Sequence, residues 1–184
     1  MKRFFNVFLI LAIVALSSCN NAVKQKQLAK IDSLSVILDS ANVQLTKINL
    51  DTIKNIFAKF EETNEKASEH YQKYRTEENW KFVCAYQQVK KPIKEMIEKY
   101  QSFSEDLNTS KKQLDDLRHD VNKNLINEKD FASYFNMEVK SAGDLSIRIK
   151  MKTGNALKQM KNFDTIHPYM LKLIDSYSEN KTKK

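Results

Sequence analysis

The sequence predicts an all-α protein, an elongated antiparallel bundle of three long, kinked helices, and three observations predict it. Turn-forming residues are scarce: Gly143 and Gly154 are the only glycines, and Pro92 and Pro168 the only prolines, in 184 residues. Apolar residues recur at alternating spacings of three and four, the period of a helix face rather than of a strand. Polar interruptions divide the chain into three similar stretches, residues 24–75, 77–126 and 129–178. Each would run about 70–75 Å at 1.5 Å per residue, and short connections make neighbouring helices antiparallel.

The first stretch carries its seam on Ile31, Leu34, Leu38, Ala41, Leu45 and Ile48. Residues 49–52 interrupt it, and the seam resumes at Ile53, Ile56, Phe60, Ala67, Tyr71 and Tyr74, shifted by about one position. A kink or short turn there, with Asp51 as the N-cap, accounts for the slip. The second stretch opens on Thr76, a hydroxyl able to cap, followed by Glu77 and Glu78, whose charges suit a helix N-terminus. Tyr86, Ile93, Tyr100, Leu107, Leu114 and Val121 then repeat every seven residues. Val89, Met96, Phe103 and Leu117 fill the companion positions, with Ser110 and Asn124 as polar exceptions. A repeat unbroken across Pro92 predicts one long helix with a local kink. Val83, with Trp80 and Cys84, forms a second apolar strip, expected to meet a third helix.

The third stretch has its own heptad column: Phe135, Ala142, Ile149, Ala156, Phe163, Met170 and Tyr177. Asn127 either ends the preceding helix or caps this one, and residues 164–168 are expected to break or bend it at Pro168. Residues 145–152 alternate like a strand but have no partner strand, so they are assigned to helix. The three-helix arrangement resembles a spectrin-type repeat in outline only. The alternative is a compact five- or six-helix bundle, folded back at residues 49–52 and near Pro92.

The N-terminus carries the most specific motif. Lys2 and Arg3 precede an apolar run over residues 4–16, interrupted only by Asn6, and Leu16-Ser17-Ser18-Cys19 closes it. The run is shorter than the roughly 20 residues that span a bilayer, and its flanks are those of a secretory signal. The motif resembles the lipobox of bacterial lipoproteins. That resemblance implies cleavage by signal peptidase II after Ser18, a diacylglycerol on Cys19 and a third chain on its amine. Two or more acyl chains make a stable anchor, whereas one does not. Asn20, in place of the Asp that retains lipoproteins in the inner membrane, implies the outer membrane, and the lack of an acidic run implies its periplasmic face. The resulting organisation is a signal peptide (1–18), a lipidated Cys and polar tether (19–27), one helical domain (28–178) and a basic tail (179–184).

Composition narrows function further. Loss of residues 1–18 lowers the net charge from +8 to +6, because Lys2 and Arg3 leave with them. An exported, membrane-tethered protein rarely meets nucleic acid, so anionic lipid headgroups or cell-wall polymers are the expected acidic partners. With Cys19 acylated, Cys84 stands alone and no internal disulfide can form. His70, His119 and His167 fall in no metal-binding spacing, and the Asp115/His119 pair on one helix face reads as a charged surface. No nucleophile set is visible, and no cofactor is implied. Arg148, Lys150, Lys152, Lys158 and Lys161 are candidates for an anion-binding strip. Asp before Ser33, Ser40, Thr52 and Thr165, each followed by an apolar residue, resembles the O-glycosylation acceptor of one bacterial phylum; Thr52 and Thr165, at expected breaks, are the stronger candidates. The terminal lysines resemble the tail of murein lipoproteins, whose last Lys is joined to peptidoglycan.

These readings converge on a non-catalytic, lipid-anchored helical spacer or scaffold that binds an envelope protein or wall component. The second expectation is a binding module with an inter-helix groove lined by Tyr71, Tyr74, Trp80 and Tyr86, for a lipid or glycan. Sedimentation of residues 20–184 separates the two folds: three long helices give an elongated particle, and a low frictional ratio favours the folded-back bundle.

Overall fold

Asn49, Thr76, Asn124 and Asn127 cap helix ends among the described residues, each beside the end it closes in sequence. The computed structural model describes the backbone of residues 2–69 and 76–179, and the side chains of residues 21–69, 76 and 78–177. Among these the fold is all-helical, in elements α1 (Lys2–Leu45), α2 (Leu50–Ser68), α3 (Glu77–Gln87), α4 (Lys90–Lys123) and α5 (Glu128–Glu179). No strand occurs among the described residues, and residues 145–152 lie within α5. There Leu145 and Ile149 are buried while Ile147 and Met151 are exposed, the i, i+4 habit of a helix. Among the described residues no helix is long and apolar enough to cross a membrane.

The turn between α1 and α2 corrects one expectation. The cap of α2 is Asn49, whose side-chain oxygen accepts the Thr52 N–H at 2.8 Å. Asp51 lies inside the first turn, where its charge meets the helix dipole. The last turn of α1 tightens as it ends: Thr46 N–H reaches Asn42, but Lys47 and Ile48 reach only three residues back, to Gln44 and Leu45. Ile48 remains buried, so the seam survives the turn.

The middle stretch is divided at Gln88 and Val89, upstream of Pro92 itself. Val89 N–H bonds to Tyr86 at i−3 rather than i−4. Pro92 has no N–H to donate to Gln88, and it sits in the first turn of α4, where that donor has no helical partner anyway. Gln88 keeps right-handed helical dihedrals, so Tyr86, Val89 and Ile93 stay on one buried line across the break. Thr76 caps α3 as expected, accepting the Asn79 N–H at 3.4 Å.

α4 ends at Asn124, which takes φ 55°. Asn124 N–H bonds to Val121 and Leu125 N–H to Asp120, the bond pair of a Schellman cap. Asn127 caps the next helix: its carbonyl oxygen accepts the Asp130 N–H at 2.9 Å. α5 then runs through Pro168 without a break. One backbone bond is lost, on an exposed side where Asp164 and Pro168 meet solvent, while Phe163, Met170 and Ile174 stay buried on the other side.

The chain divides into two compact units, residues 1–40 with 106–146, and residues 41–105 with 147–184. In the first, Ile31, Leu34 and Leu38 of α1, Leu107, Leu114, Leu117 and Val121 of α4, and Phe131, Ala142 and Leu145 of α5 are buried. Its α1 and α4 segments run antiparallel: Lys24 bonds to the Asn122 carbonyl, Asp32 pairs with Arg118 at 2.6 Å, and Asp39 pairs with Lys111 at 2.7 Å. These pairs are largely solvated, so each contributes no more than about 1 kcal/mol, and their main effect is on register.

The second unit buries Ile53 and Phe60 of α2, Val83 and Tyr86 of α3, Ile93, Met96 and Phe103 of α4, and Ile149, Ala156, Phe163 and Met170 of α5. Fully burying a side chain such as Phe60 is worth roughly 1.5–3 kcal/mol. Thr63 and Thr153 are the buried threonines in this core. Thr153 is fully buried, and its hydroxyl has no hydrogen-bond partner among the described residues. Thr153→Val should therefore raise unfolding stability by about 1 kcal/mol, since it removes a buried polar group without changing shape. Denaturant unfolding checks this, and a loss of similar size would show that the hydroxyl is satisfied by water.

Candidate functional site

Polar chemistry gathers in two places, one in each unit. In the second unit, Tyr86 of α3 is fully buried, so its hydroxyl must find a partner inside the core. That partner is Nδ1 of His167 on α5, at 2.9 Å. Phe60, Tyr86, Phe163 and His167 form one aromatic group, with centroids 4.9 Å apart for Phe60–Tyr86 and 4.4 Å for Phe163–His167. Heptad spacing supplies Phe60, Tyr86 and Phe163; His167 is there because it lies one helical turn beyond Phe163. Beside this group Phe82 stacks on Tyr169 at 4.0 Å, and the Tyr169 hydroxyl donates to Asn79 Oδ1 at 2.7 Å. Gln87 also donates to Asn64, which ties α3 to α2.

Burial pushes the His167 pKa below the usual imidazole range, and the positive charge of Lys59 adds to this while Glu62 opposes it. The neutral ring can accept the Tyr86 proton at Nδ1 and carry its own hydrogen on Nε2. The group is packed and stacked, with the geometry of a buried polar tie.

In the first unit, α4 and α5 border an open groove of about 230 Å³ lined by Gln113, Asp116, Leu117, Asp120, Tyr134 and Glu138. The lining residues of α4 are spaced by three and four, and Tyr134 and Glu138 by four, so each helix offers one face. Asp116 already accepts Lys112 Nζ at 2.6 Å. Glu138 is half-buried, and desolvation raises its pKa above the ordinary carboxylate range. Tyr134 is 54% exposed. An exposed aromatic ring beside carboxylate and amide groups can stack on an apolar face and hydrogen-bond to hydroxyls or amines. Among the described residues, no group of three or more His, Cys, Asp or Glu is placed to hold a metal ion.

The residues expected from sequence fall as follows. Tyr86 lines no groove, because heptad position places it in the core; Trp80 is 46% exposed, and Tyr71 and Tyr74 lie outside the described residues. Of the second strip on α3, only Val83 is buried, while Trp80 and Cys84 face solvent. The side chain of Cys19 and the tail 180–184 also lie outside the described residues. Thr52 is exposed in the first turn of α2, with its backbone N–H held by Asn49. Ser33 and Thr165 donate their hydroxyls to carbonyls four residues back, at Ala29 and Lys161, and Ser40 is exposed within α1. Lys152 donates to Glu95 at 2.5 Å, which holds the Glu95 carboxyl below its usual range. Arg148, Lys150, Lys158 and Lys161 are exposed; at 100° per residue, Lys150 and Lys161 lie on a different side of α5 from Arg148 and Lys152.

Comparison with known proteins finds no matching family model, no similar curated protein and no similar solved structure.

The Tyr86–His167 tie gives a pH-dependent stability. The folded pKa of His167 is depressed, so its contribution is complete above the unfolded value of about 6.5 and is lost as pH falls through the folded value. Between about pH 8 and about pH 5, the wild type should lose more urea stability than His167→Gln. Equal losses would remove His167 from the account.

Proposed function

We propose that this chain is a lipid-anchored, non-catalytic lipoprotein of the bacterial cell envelope, a helical spacer or scaffold that binds another envelope protein or the cell wall. The observation that carries the reading is the lipobox Leu16-Ser17-Ser18-Cys19, with its basic and apolar flanks. In this reading acylated Cys19 anchors the body to a membrane, and Asn20 with no acidic run after it favours the periplasmic face of the outer membrane. Two features of the body support a scaffold. Its recurring physical theme is helix packing along continuous seams, and the buried Tyr86 hydroxyl pairs with His167 rather than opening onto a cleft.

The same reading takes α1–α2, α3–α4 and α5 as three limbs, each antiparallel to the next. In support, α2 meets α3 through Phe60 with Tyr86 and Asn64 with Gln87, and α3–α4 meets α5 through Phe82 with Tyr169 and Glu95 with Lys152. Between α3–α4 and α5 the higher-numbered partner on one side matches the lower-numbered partner on the other. Thr52, exposed beside a turn, is the strongest of the four glycosylation candidates, and the basic residues of α5 outside the Lys152–Glu95 pair serve as contacts for anionic polymer.

A second reading rests on the groove of the first unit. With Tyr134 exposed and carboxylates on both walls, it suits a polar ligand such as a glycan better than a lipid chain.

Metabolic labelling with an alkynyl palmitate should tag the wild type and fail to tag Cys19→Ala; equal labelling ends the lipoprotein reading. Cross-linking of the tagged protein in intact cells should then capture an envelope protein or wall fragment. Recovery of soluble glycan alone, lost in Tyr134→Ala, would favour the binding module instead.

A further inference from the structure

The turn between α4 and α5 exposes an apolar residue where its own cap offers nothing to pack on. In a Schellman cap the residue at the Leu125 position ordinarily packs on an apolar side chain at the position of Asp120 or one residue before it. Here those positions hold Asp120 and His119, and Leu125 is 69% exposed, the most exposed of the large apolar side chains described. The turn is nonetheless well fixed, by the Asp120 and Val121 carbonyls and by Asn124 at φ 55°. Lys123 and Lys129 flank it, both exposed. Asp130 is engaged by Asn127, and with Glu128 it faces the N-terminal dipole of α5.

The position of this turn in the first unit gives Leu125 a partner. Lys24 Nζ donates to the Asn122 carbonyl at 2.6 Å, which sets the turn beside that part of α1. Lys24 lies five positions after Cys19, and five residue steps reach no farther than about 18 Å even when fully extended. A lipid on Cys19 therefore brings the turn to the bilayer surface.

We propose that the α4–α5 turn is a membrane-contact site, resting on the lipid-anchor reading. Leu125 enters the boundary between headgroups and acyl chains, and Lys123 and Lys129 meet lipid phosphates while their stems lie along the apolar layer. The contact gives the anchored protein a second attachment point and fixes the first unit's orientation on the leaflet.

The test uses the full mature lipoprotein with Cys84→Ser, so that a cysteine at Leu125→Cys is the one thiol open to a nitroxide label. Thr109→Cys, also exposed and about 20 Å along α4, is the control. In vesicles of phosphatidylethanolamine and phosphatidylglycerol, a water-soluble nickel chelate should relax the label at 125 several-fold less than the label at 109, with oxygen access preserved. An acylated protein with equal nickel access at both labels overturns the site and leaves the anchor standing. Absence of acyl mass on Cys19 overturns the anchor and the site together. Shielding at 125 that persists without vesicles and grows with protein concentration assigns the turn to a second copy of the chain and overturns the proposal.

Discussion

A hydroxyl in an apolar core has to be satisfied from within, and the Tyr86–His167 hydrogen bond is the constraint on which the second unit depends. Tyr86 occupies a heptad position, so the seam drives it inside, but its phenol cannot be left unpaired there at less than a few kcal/mol. His167 answers it from α5 and is itself stacked on Phe163. That single contact fixes the rotation of α5 against α3, and with it the stacking of Phe82 on Tyr169 and the Tyr169–Asn79 bond. Burial suppresses the imidazole charge, which suits a ring that accepts rather than donates at Nδ1.

The first unit is organised differently. Its buried apolar residues are aliphatic apart from Phe131, and Gln27 and Ser110 are buried among them. Its ion pairs lie on the rim, where Asp32 with Arg118 and Asp39 with Lys111 set register without adding much stability. Arg118 illustrates the cost of such an arrangement: its terminal nitrogens reach Asp32 and Ser35, but Nε is enclosed without a partner among the described residues. The open groove on α4 and α5 belongs to this less tightly specified surface.

Much of the helical core was legible because heptad spacing is a strong and redundant signal. Every seam residue assigned from Ile31 to Ile48 is buried, as are Ile93, Leu107, Leu114 and Val121 in the middle column. Spacing also marked Ser110 as a polar occupant of its line, but not Thr63 and Thr153, since sequence period marks a face but not how a hydroxyl is satisfied on it. Cap identity was ambiguous for a related reason: Asn49 and Asp51 are both good cap residues two positions apart, and only backbone dihedrals separate them. Of the break or bend expected at Pro168, the break does not occur, because one missing bond on an exposed side is outweighed by burial on the other. The His167 pairing was illegible because it joins residues 81 apart in sequence. The groove of Tyr134 and Glu138 was equally hidden, since it depends on which faces of two helices are brought side by side.

The passage of α5 through Pro168 has a mechanical consequence. A helix resists bending through its ladder of backbone bonds, and at this turn the rung from residue 168 to Asp164 is missing. The neighbouring residue, His167, is the one clamped to Tyr86. A side-chain tether to another helix thus stands where the ladder is weakest, and α5 owes its stiffness at this point to its neighbour rather than to itself.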